Sequence, residues 1–236
     1  MAGGVPYSCW TRDPSPAACR ISSSVSACCP EASWATLSVR PSGLARTACI
    51  LAPSLVLTIA KYFDVDPEWV LLTNGLDEGI LMAAVGHISK ARIHDAETIV
   101  PTPAYDPYPN STAAAGATAV RVPANPDLSF PTDEVIRAIT PRTRMIFLNT
   151  PNNPTGQLIS IEDLKRISTA AGNAIVLIDE AYIEFGGESF RPNVAQHPDV
   201  LGGRTFSKAN GLAGMRVGIG IGQPAALQPI HDFTLA

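Results

Sequence analysis

Predicted helices alternate with short apolar strands from about Leu55 onward, and this alternation restricts the fold more than any other feature of the chain. The predicted strands lie at residues 70–73, 98–101, 117–122, 144–149, 174–178, 203–206 and 216–221. The predicted helices lie at residues 75–87, 106–115, 131–139 and 160–171, with Pro131 opening one helix and Ser160 capping another. Alternation of this kind predicts an α/β fold, a three-layer sandwich whose mostly parallel sheet is covered by helices on both faces.

Charge and hydropathy argue against nucleic-acid and membrane partners. The chain of 236 residues has a formal net charge of -4, and its lysines and arginines are scattered rather than clustered, so no basic patch for nucleic acid is indicated. Its longest apolar run, residues 47–60, is too short to span a bilayer, and the first residues lack the pattern of a signal peptide. We therefore expect a cytoplasmic protein.

Residues 1–50 differ in composition from the rest of the chain. They are rich in Ser, Ala and Pro and contain all five cysteines, whose odd number argues against a disulfide scaffold and whose spacing does not fit a zinc site. We expect this segment to be poorly structured, or not to be the natural beginning of the domain. The domain itself is predicted to comprise residues 51–236.

Turn and polar residues follow most of the predicted strands. They are Asn74 and Gly75, residues 103–105, 149–156 and 179–182, and Ser207 with Lys208. Ligands of open α/β sheets bind outside the carboxyl ends of the strands. We therefore expect these residues to converge on one edge of the sheet.

Asp179 directly follows the apolar strand at residues 174–178. A carboxylate in that position is partly desolvated and needs a cation or a hydrogen-bond donor as partner. A Walker B aspartate is one alternative, but it requires a GxxxxGK[ST] loop, and the chain contains no Gly-Lys dipeptide. The run GIGIG at residues 218–222 does not match GxGxxG, and the four histidines lack metal-ligand spacing, so we predict neither a dinucleotide site nor a metal site.

Lys208 lies within RTFSKANGLAGMR, between Arg204 and Arg216. A lysine in a partly desolvated pocket can act as a nucleophile that forms a Schiff base with a carbonyl group. A lone lysine in such a loop is more often an ordinary surface residue, and PNNPTG at residues 151–156 is equally explained as a turn. Both ordinary explanations weaken because PNNPTG, Asp179 and Lys208 occur in this order, each after a predicted strand.

The ordered set PNNPTG, IDEAY and TFSKANGLAGMRVG resembles the fold-type I pyridoxal-phosphate aminotransferases, most closely the histidinol-phosphate aminotransferase branch, over about residues 60–225. The resemblance implies the large cofactor-binding domain of that fold, pyridoxal 5'-phosphate as cofactor, and a homodimer. It also implies transfer of an amino group between an amino acid or amino-alcohol phosphate, such as histidinol phosphate, and a 2-oxo acid. A lyase or decarboxylase on the same scaffold, or a catalytically weak remnant that binds the cofactor, remains an alternative.

The resemblance also implies roles for the catalytic residues. Lys208 would hold the cofactor covalently and transfer the substrate proton, and Asp179 would pair with the protonated pyridine nitrogen. Asn153 and Tyr182 would hydrogen-bond the 3'-oxygen of the ring, and Tyr105 would stack on it.

The cofactor phosphate would have its own set of ligands. By the same resemblance, these are the Arg216 guanidinium, the hydroxyls of Thr205 and Ser207, and the backbone N–H groups of Leu76 and Asp77. Asp77 is equally explained as a helix-dipole residue, and we interpret Tyr108 as a packing residue.

Two parts of the family pattern are missing. An NENP-like motif and an Arg-Tyr-Pro sequence are not found in residues 1–60, and the chain ends at Ala236, before the smaller domain whose arginine grips the substrate carboxylate. We therefore expect a large domain that is truncated at both ends and lacks the groups that select and clamp the substrate.

Overall fold

The computed structural model describes residues 43–91 and 95–232. The predicted poorly structured segment lies outside the described residues up to residue 42. Its remaining part, residues 43–50, belongs to the first helix, α1 (Gly43–Phe63). The domain start predicted at residue 51 therefore falls inside this helix.

A single sheet of seven strands forms the centre of the described region. In chain order the strands are β1 (Val70–Asn74), β2 (Glu97–Thr102), β3 (Thr118–Pro123), β4 (Thr143–Asn149), β5 (Ile175–Asp179), β6 (Val200–Thr205) and β7 (Val217–Ile221). Their spatial order is β1-β7-β6-β5-β4-β2-β3. Only β7 runs antiparallel to its neighbours, β1 and β6, so the predicted mostly parallel α/β sheet is confirmed.

Helices cover both faces of this sheet. They are, besides α1, α2 (Leu76–Ala91), α3 (Pro107–Ala114), α4 (Thr132–Arg137), α5 (Ile161–Ala170) and α6 (Pro224–His231). Short 3-10 turns occur at Pro67–Trp69, Ile183–Phe185, Arg191–Gln196 and Ala213–Met215.

The alternation of side chains along strand β4, which is buried except at Arg144, separates the two faces. Met145 and Phe147 belong to one apolar cluster with residues of α2, α3 and α6, whereas Ile146 and Leu148 belong to another with residues of α4 and α5. Successive side chains of a strand point to opposite faces, so a strand that is apolar throughout must be covered on both sides. Helix α1 packs through residues such as Phe63 against β1 and β7, on the side opposite to α2.

The local signals in the sequence predicted the elements well and their ends less well. Ser160 caps α5 as predicted, its hydroxyl accepting a hydrogen bond of 3.0 Å from the N–H of Asp163. Three details differ: Pro131 is the N-cap of α4 rather than its first residue, β6 begins at Val200 rather than at residue 203, and Asp179 ends β5 instead of following it. Strand β6 extends further because Val200 and Leu201 are buried against opposite faces of the sheet.

No helix in the described part of the chain is long and apolar enough to cross a membrane. Among the same residues, no three His, Cys, Asp or Glu side chains are grouped so that they could hold a metal ion.

Candidate active site

One edge of the sheet carries the carboxyl ends of β1, β2, β4, β5 and β6 and the beginning of β7. A cavity opens there between the ends of the strands, and all ten residues that the sequence predicted for the site line it. They are Leu76, Asp77, Tyr105, Asn153, Asp179, Tyr182, Thr205, Ser207, Lys208 and Arg216. Three further residues complete the lining: Tyr108, Asn149 and Ala181.

Asp179 is the most deeply buried charged residue of this lining, with 3% of its surface exposed. Its Oδ1 accepts a hydrogen bond of 2.9 Å from the N–H of Ala181, and its Oδ2 accepts one of 2.7 Å from the hydroxyl of Tyr108. Burial raises the pKa of Asp179 to about 6, against the lowering effect of these two hydrogen bonds. The carboxylate therefore has a donor on each oxygen, and no side chain among the described residues forms an ion pair with it.

Tyr108 is both a packing residue and a partner of Asp179. It is 2% exposed, and its ring stacks on that of Phe147 at 5.1 Å between centroids, as a packing residue would. The hydrogen bond from its hydroxyl to Asp179 was not predicted, since the two residues are 71 positions apart in the chain.

Asn149 is a second residue that sequence reasoning did not single out. It is buried at the end of β4, where its Nδ2 donates a hydrogen bond of 3.1 Å to the carbonyl of Asp179. Its Oδ1 accepts one of 2.6 Å from the N–H of Asn153. One amide side chain thus joins the ends of β4 and β5 to the loop that carries Asn153, and its place directly after an apolar strand was the available signal.

Arg216 reaches the cavity from the residue before β7, in a left-handed backbone conformation with φ of 51°. Its Nη2 donates to the carbonyl of Asn74 at 3.4 Å and lies 4.0 Å from Oδ2 of Asp77. Gly75, with φ of +80°, leaves room for this guanidinium, because a Cβ at that position would lie 2.2 Å from Nη2. The turn before α2 and the arginine are therefore fitted to each other.

Tyr105 connects to the same corner from the loop after β2. Its hydroxyl donates a hydrogen bond of 3.1 Å to Oδ1 of Asp77. Partial burial, and then the nearby Asp77 carboxylate, raise the pKa of Tyr105 to about 12, so the phenol stays protonated at neutral pH. Asp77 thus holds two side chains of the cavity in addition to its position in the first turn of α2.

Ser207 and Thr205 form the wall next to Arg216. The N–H of Ser207 donates to Oγ1 of Thr205 at 3.2 Å, which fixes the turn after β6. The hydroxyl oxygen of Ser207 is buried and has no hydrogen-bond partner among the residues that the structure describes. A buried hydroxyl without a partner costs about 1–3 kcal/mol, so this oxygen is arranged for a group that is not part of the protein.

Lys208 lies at the mouth of the cavity and is exposed. Its Nζ is 5.3 Å from the centre of the Tyr182 ring, which places the two predicted catalytic side chains side by side. The loop that follows Lys208, through residue 215, is also exposed.

Glu180, the second acid of IDEAY, does not line the cavity. It is 2% exposed, and its carboxylate accepts hydrogen bonds from the N–H of Phe190 at 2.6 Å and from the hydroxyl of Ser189 at 2.7 Å. Nη1 of Arg204 lies 3.4 Å from the same carboxylate. Burial raises the pKa of Glu180, and these partners oppose that effect. Glu180 therefore has a cationic partner, Arg204, in addition to its hydrogen-bond donors, whereas Asp179 has hydrogen-bond donors alone among the described residues.

Comparison with known protein families and sequences gives a consistent result. The family model described as aminotransferase class I and II matches residues 41–233. Histidinol-phosphate aminotransferase of Methanococcoides burtonii is 39% identical over 189 residues, which are 78% of this chain and 48% of that protein. Aromatic amino acid aminotransferase of Cutibacterium acnes is 38% identical over 174 residues, 71% of this chain and 48% of that protein. The chain thus spans about half the length of these relatives.

A solved structure supports the same conclusion about the fold. Aspartate aminotransferase from Thermus thermophilus, in its structure with maleate, superposes with a TM-score of 0.69 at 27% sequence identity. The match covers 80% of this chain and 54% of that one.

Proposed function

The chain belongs to the class I and II aminotransferase family, and from this membership we propose that it binds pyridoxal 5'-phosphate at the sheet edge and acts as a transaminase. The observation that carries the proposal is that a lysine, a buried aspartate and an arginine line one cavity, namely Lys208, Asp179 and Arg216. When bound, the cofactor supplies an electron sink that allows an amino group to leave one carbon and be added to another.

The phosphate end of the cofactor fits the corner between α2 and the turn after β6. The guanidinium of Arg216 supplies a positive charge, and the first N–H groups of α2, at Leu76 and Asp77, supply donors that a helix N-terminus offers to anions. The hydroxyl of Ser207 gains its missing partner from a phosphate oxygen. We assign Thr205 to the same group through its position in the wall.

The ring end of the cofactor fits the deeper part of the cavity. Asp179 has lone pairs left on both carboxylate oxygens, and a protonated ring nitrogen is the cation that its burial calls for. Asn153 and Tyr182 supply polar groups for the ring oxygen, and Tyr105 supplies an aromatic face. These assignments follow the predicted roles.

Lys208 is the one lysine that lines the cavity, and we assign to it the covalent attachment of the cofactor and the transfer of the substrate proton. Its exposed position leaves Nζ accessible to the cofactor, and the adjacent ring of Tyr182 restricts its position on one side.

For the amino donor we propose histidinol phosphate, with a 2-oxo acid as acceptor. The support is that the relative in Methanococcoides burtonii is named a histidinol-phosphate aminotransferase, and that an aromatic amino acid aminotransferase is about as similar. Both names describe the transfer of an amino group from a donor with an aromatic side chain. We also expect the active protein to be a homodimer located in the cytoplasm. Light scattering of the purified chain measures the molar mass and so tests the homodimer.

The experiment that tests the proposal adds pyridoxal 5'-phosphate to the purified chain, reduces it with borohydride and maps the labelled peptide. We expect a visible absorption band and label on Lys208. The control is Lys61→Ala, which removes an exposed lysine of α1 and should leave the labelling unchanged, whereas Lys208→Ala should abolish it. Label on another lysine, or none, would contradict the proposal.

A second step identifies the donor and separates transfer from the lyase alternative. The visible absorption band of the chain with cofactor, not reduced with borohydride, is followed after adding histidinol phosphate, an aromatic amino acid or aspartate without an acceptor. We expect the band to change with histidinol phosphate as a 2-oxo product forms. With the two amino acids, which carry a carboxylate that histidinol phosphate lacks, we expect no release of carbon dioxide. Release of carbon dioxide, or no reaction with any donor, would favour the decarboxylase or the weak remnant instead.

A further inference from the structure

The hydrogen bond between Tyr108 and Asp179 is the least exposed polar contact of the cavity. Tyr108 is 2% exposed and Asp179 is 3% exposed, and the donor and acceptor atoms are 2.7 Å apart. A charge-assisted hydrogen bond of this length between two deeply buried side chains is among the stronger ones in proteins. It also determines which way the carboxylate of Asp179 can turn.

The ring of Tyr108 is held in place by contacts other than the hydrogen bond between its hydroxyl and Asp179. It stacks on Phe147 with an angle of 19° between the planes and meets the ring of Tyr105 edge to face at 5.8 Å. The helix that carries it, α3, is attached to β2 by a hydrogen bond of 2.8 Å between the hydroxyls of Thr112 and Thr98. The hydroxyl is thus directed at Asp179 without a further cost in side-chain freedom.

We propose that Tyr108 is a positioning residue for the aminotransferase site: its hydroxyl holds Oδ2 of Asp179 so that the carboxylate stays ionised and its free lone pairs face the cavity. Together with the N–H of Ala181 on Oδ1, it fixes the plane of the carboxylate. The proposal rests on the proposed function, since it assigns to this carboxylate the protonated ring nitrogen as its third partner.

The groups around Asp179 explain why a neutral donor is needed there. Asp77 of α2 and Glu180 raise the pKa of Asp179 through their negative charges, in the same direction as burial. The other titratable side chains that line the cavity with it and Tyr108 are Tyr105, Tyr182, Lys208 and Arg216. None of them forms an ion pair with Asp179 among the described residues. Burial and Asp179 itself raise the pKa of Tyr108 well above its ordinary value, so its hydroxyl remains a donor across the working pH range.

The test replaces Tyr108 by phenylalanine, which removes the hydroxyl and keeps the ring. The full chain without cofactor is labelled with ¹³C at its aspartate carboxyl carbons, and the Asp179 signal is assigned by its loss in Asp179→Asn. A hydrogen bond to a charged group is worth about 1.5–3 kcal/mol, so we expect Tyr108→Phe to raise the pKa of Asp179 by at least about 1. A role in packing alone would leave this pKa unchanged.

The matched control is Thr112→Val, which also removes one buried hydroxyl from α3 but does not touch Asp179. We expect it to lower stability without moving the pKa of Asp179. An unchanged pKa in Tyr108→Phe, or the same increase in Thr112→Val, would overturn the proposal.

The affinity for pyridoxal 5'-phosphate, measured against pH in the same three proteins, separates this proposal from the proposed function. We expect the pH at which the cofactor affinity reaches half of its maximum to be higher in Tyr108→Phe than in the wild type. The increase should equal the change in the pKa of Asp179. If the wild-type chain does not bind the cofactor at all, the proposed function fails, and with it the assignment of Asp179 to the ring nitrogen. If it binds and the pH dependence is the same in both proteins, only the role of Tyr108 fails.

Discussion

Replacing Asp179 by asparagine should stabilise the chain without cofactor at neutral pH, although it removes a residue assigned to the active site. Asp179 is buried, and its pKa of about 6 in the folded chain lies above the ordinary value of 3.8. The folded state therefore holds a proton on Asp179 in a pH range where the unfolded state has lost it. Stability from this group is fully present below about pH 4 and is lost as pH rises through about 6.

The size of this effect follows from the change in pKa. One pKa unit corresponds to about 1.4 kcal/mol, so an increase from 3.8 to about 6 corresponds to about 3 kcal/mol of unfolding free energy. Asparagine stays neutral over the whole range. Its amide oxygen can accept the hydrogen bond from the N–H of Ala181, and its NH2 group can donate to the hydroxyl oxygen of Tyr108, which then acts as the acceptor. The free energy of unfolding of Asp179→Asn, relative to that of the wild type, should therefore increase by about 3 kcal/mol between pH 3.5 and pH 7.

Urea unfolding at intervals across that range measures the difference directly. Groups with altered pKa values that do not interact with Asp179, such as Glu97 and Asp127, are common to both proteins and cancel in the comparison. Asp106→Asn is the control, since Asp106 is exposed at the start of α3 and its side chain makes no capping hydrogen bond. Its profile should run parallel to that of the wild type.

Parallel profiles of Asp179→Asn and wild type between pH 4 and pH 6.5 would refute the reasoning. They would mean that water or a cation reaches Asp179 in solution and that its burial does not cost free energy. The opposite sign, a variant less stable at neutral pH, would show that the two hydrogen bonds to Asp179 outweigh its desolvation.

Two further substitutions test the geometry around the site. Gly75→Ala should destabilise the chain by about 1–2 kcal/mol because of the positive φ at this position, and it should weaken cofactor binding by displacing Arg216. The control Gly172→Ala, at φ of +64° with nothing within 4 Å of the added Cβ, should lower stability alone. Equal cofactor affinity of the two variants in fluorescence titrations would contradict this. Ser160→Ala should lower the unfolding free energy by about 1 kcal/mol through loss of the cap to Asp163, without changing cofactor affinity, and a stability unchanged in urea would show that the cap contributes nothing.

The order of elements between residues 70 and 221 could be predicted because the apolar pattern of a buried strand is local information. Residues 145–148 of β4 and 175–178 of β5 are all apolar, as expected for strands of a sheet that is covered on both faces. Helices α1 and α6 were not predicted, and each contains a proline, Pro53 in α1 and Pro229 in α6. Helix α1 is the longer of the two. Its C-terminal half is held by packing of Phe63 and its neighbours against β1 and β7, which no local signal indicates.

The sequence by itself determined which residue types stand at the ends of the strands, and the rule that parallel strands end at one edge was sufficient to bring Asn153, Asp179 and Lys208 together. Only the tertiary structure decided how these groups are held. The donors to Asp179 come from α3 and its own loop, and Asn149 acts across 30 positions of the chain. A hydrogen bond between distant residues depends on the angle at which a helix packs on the sheet. That angle is set by the whole core, not by the residues that make the bond.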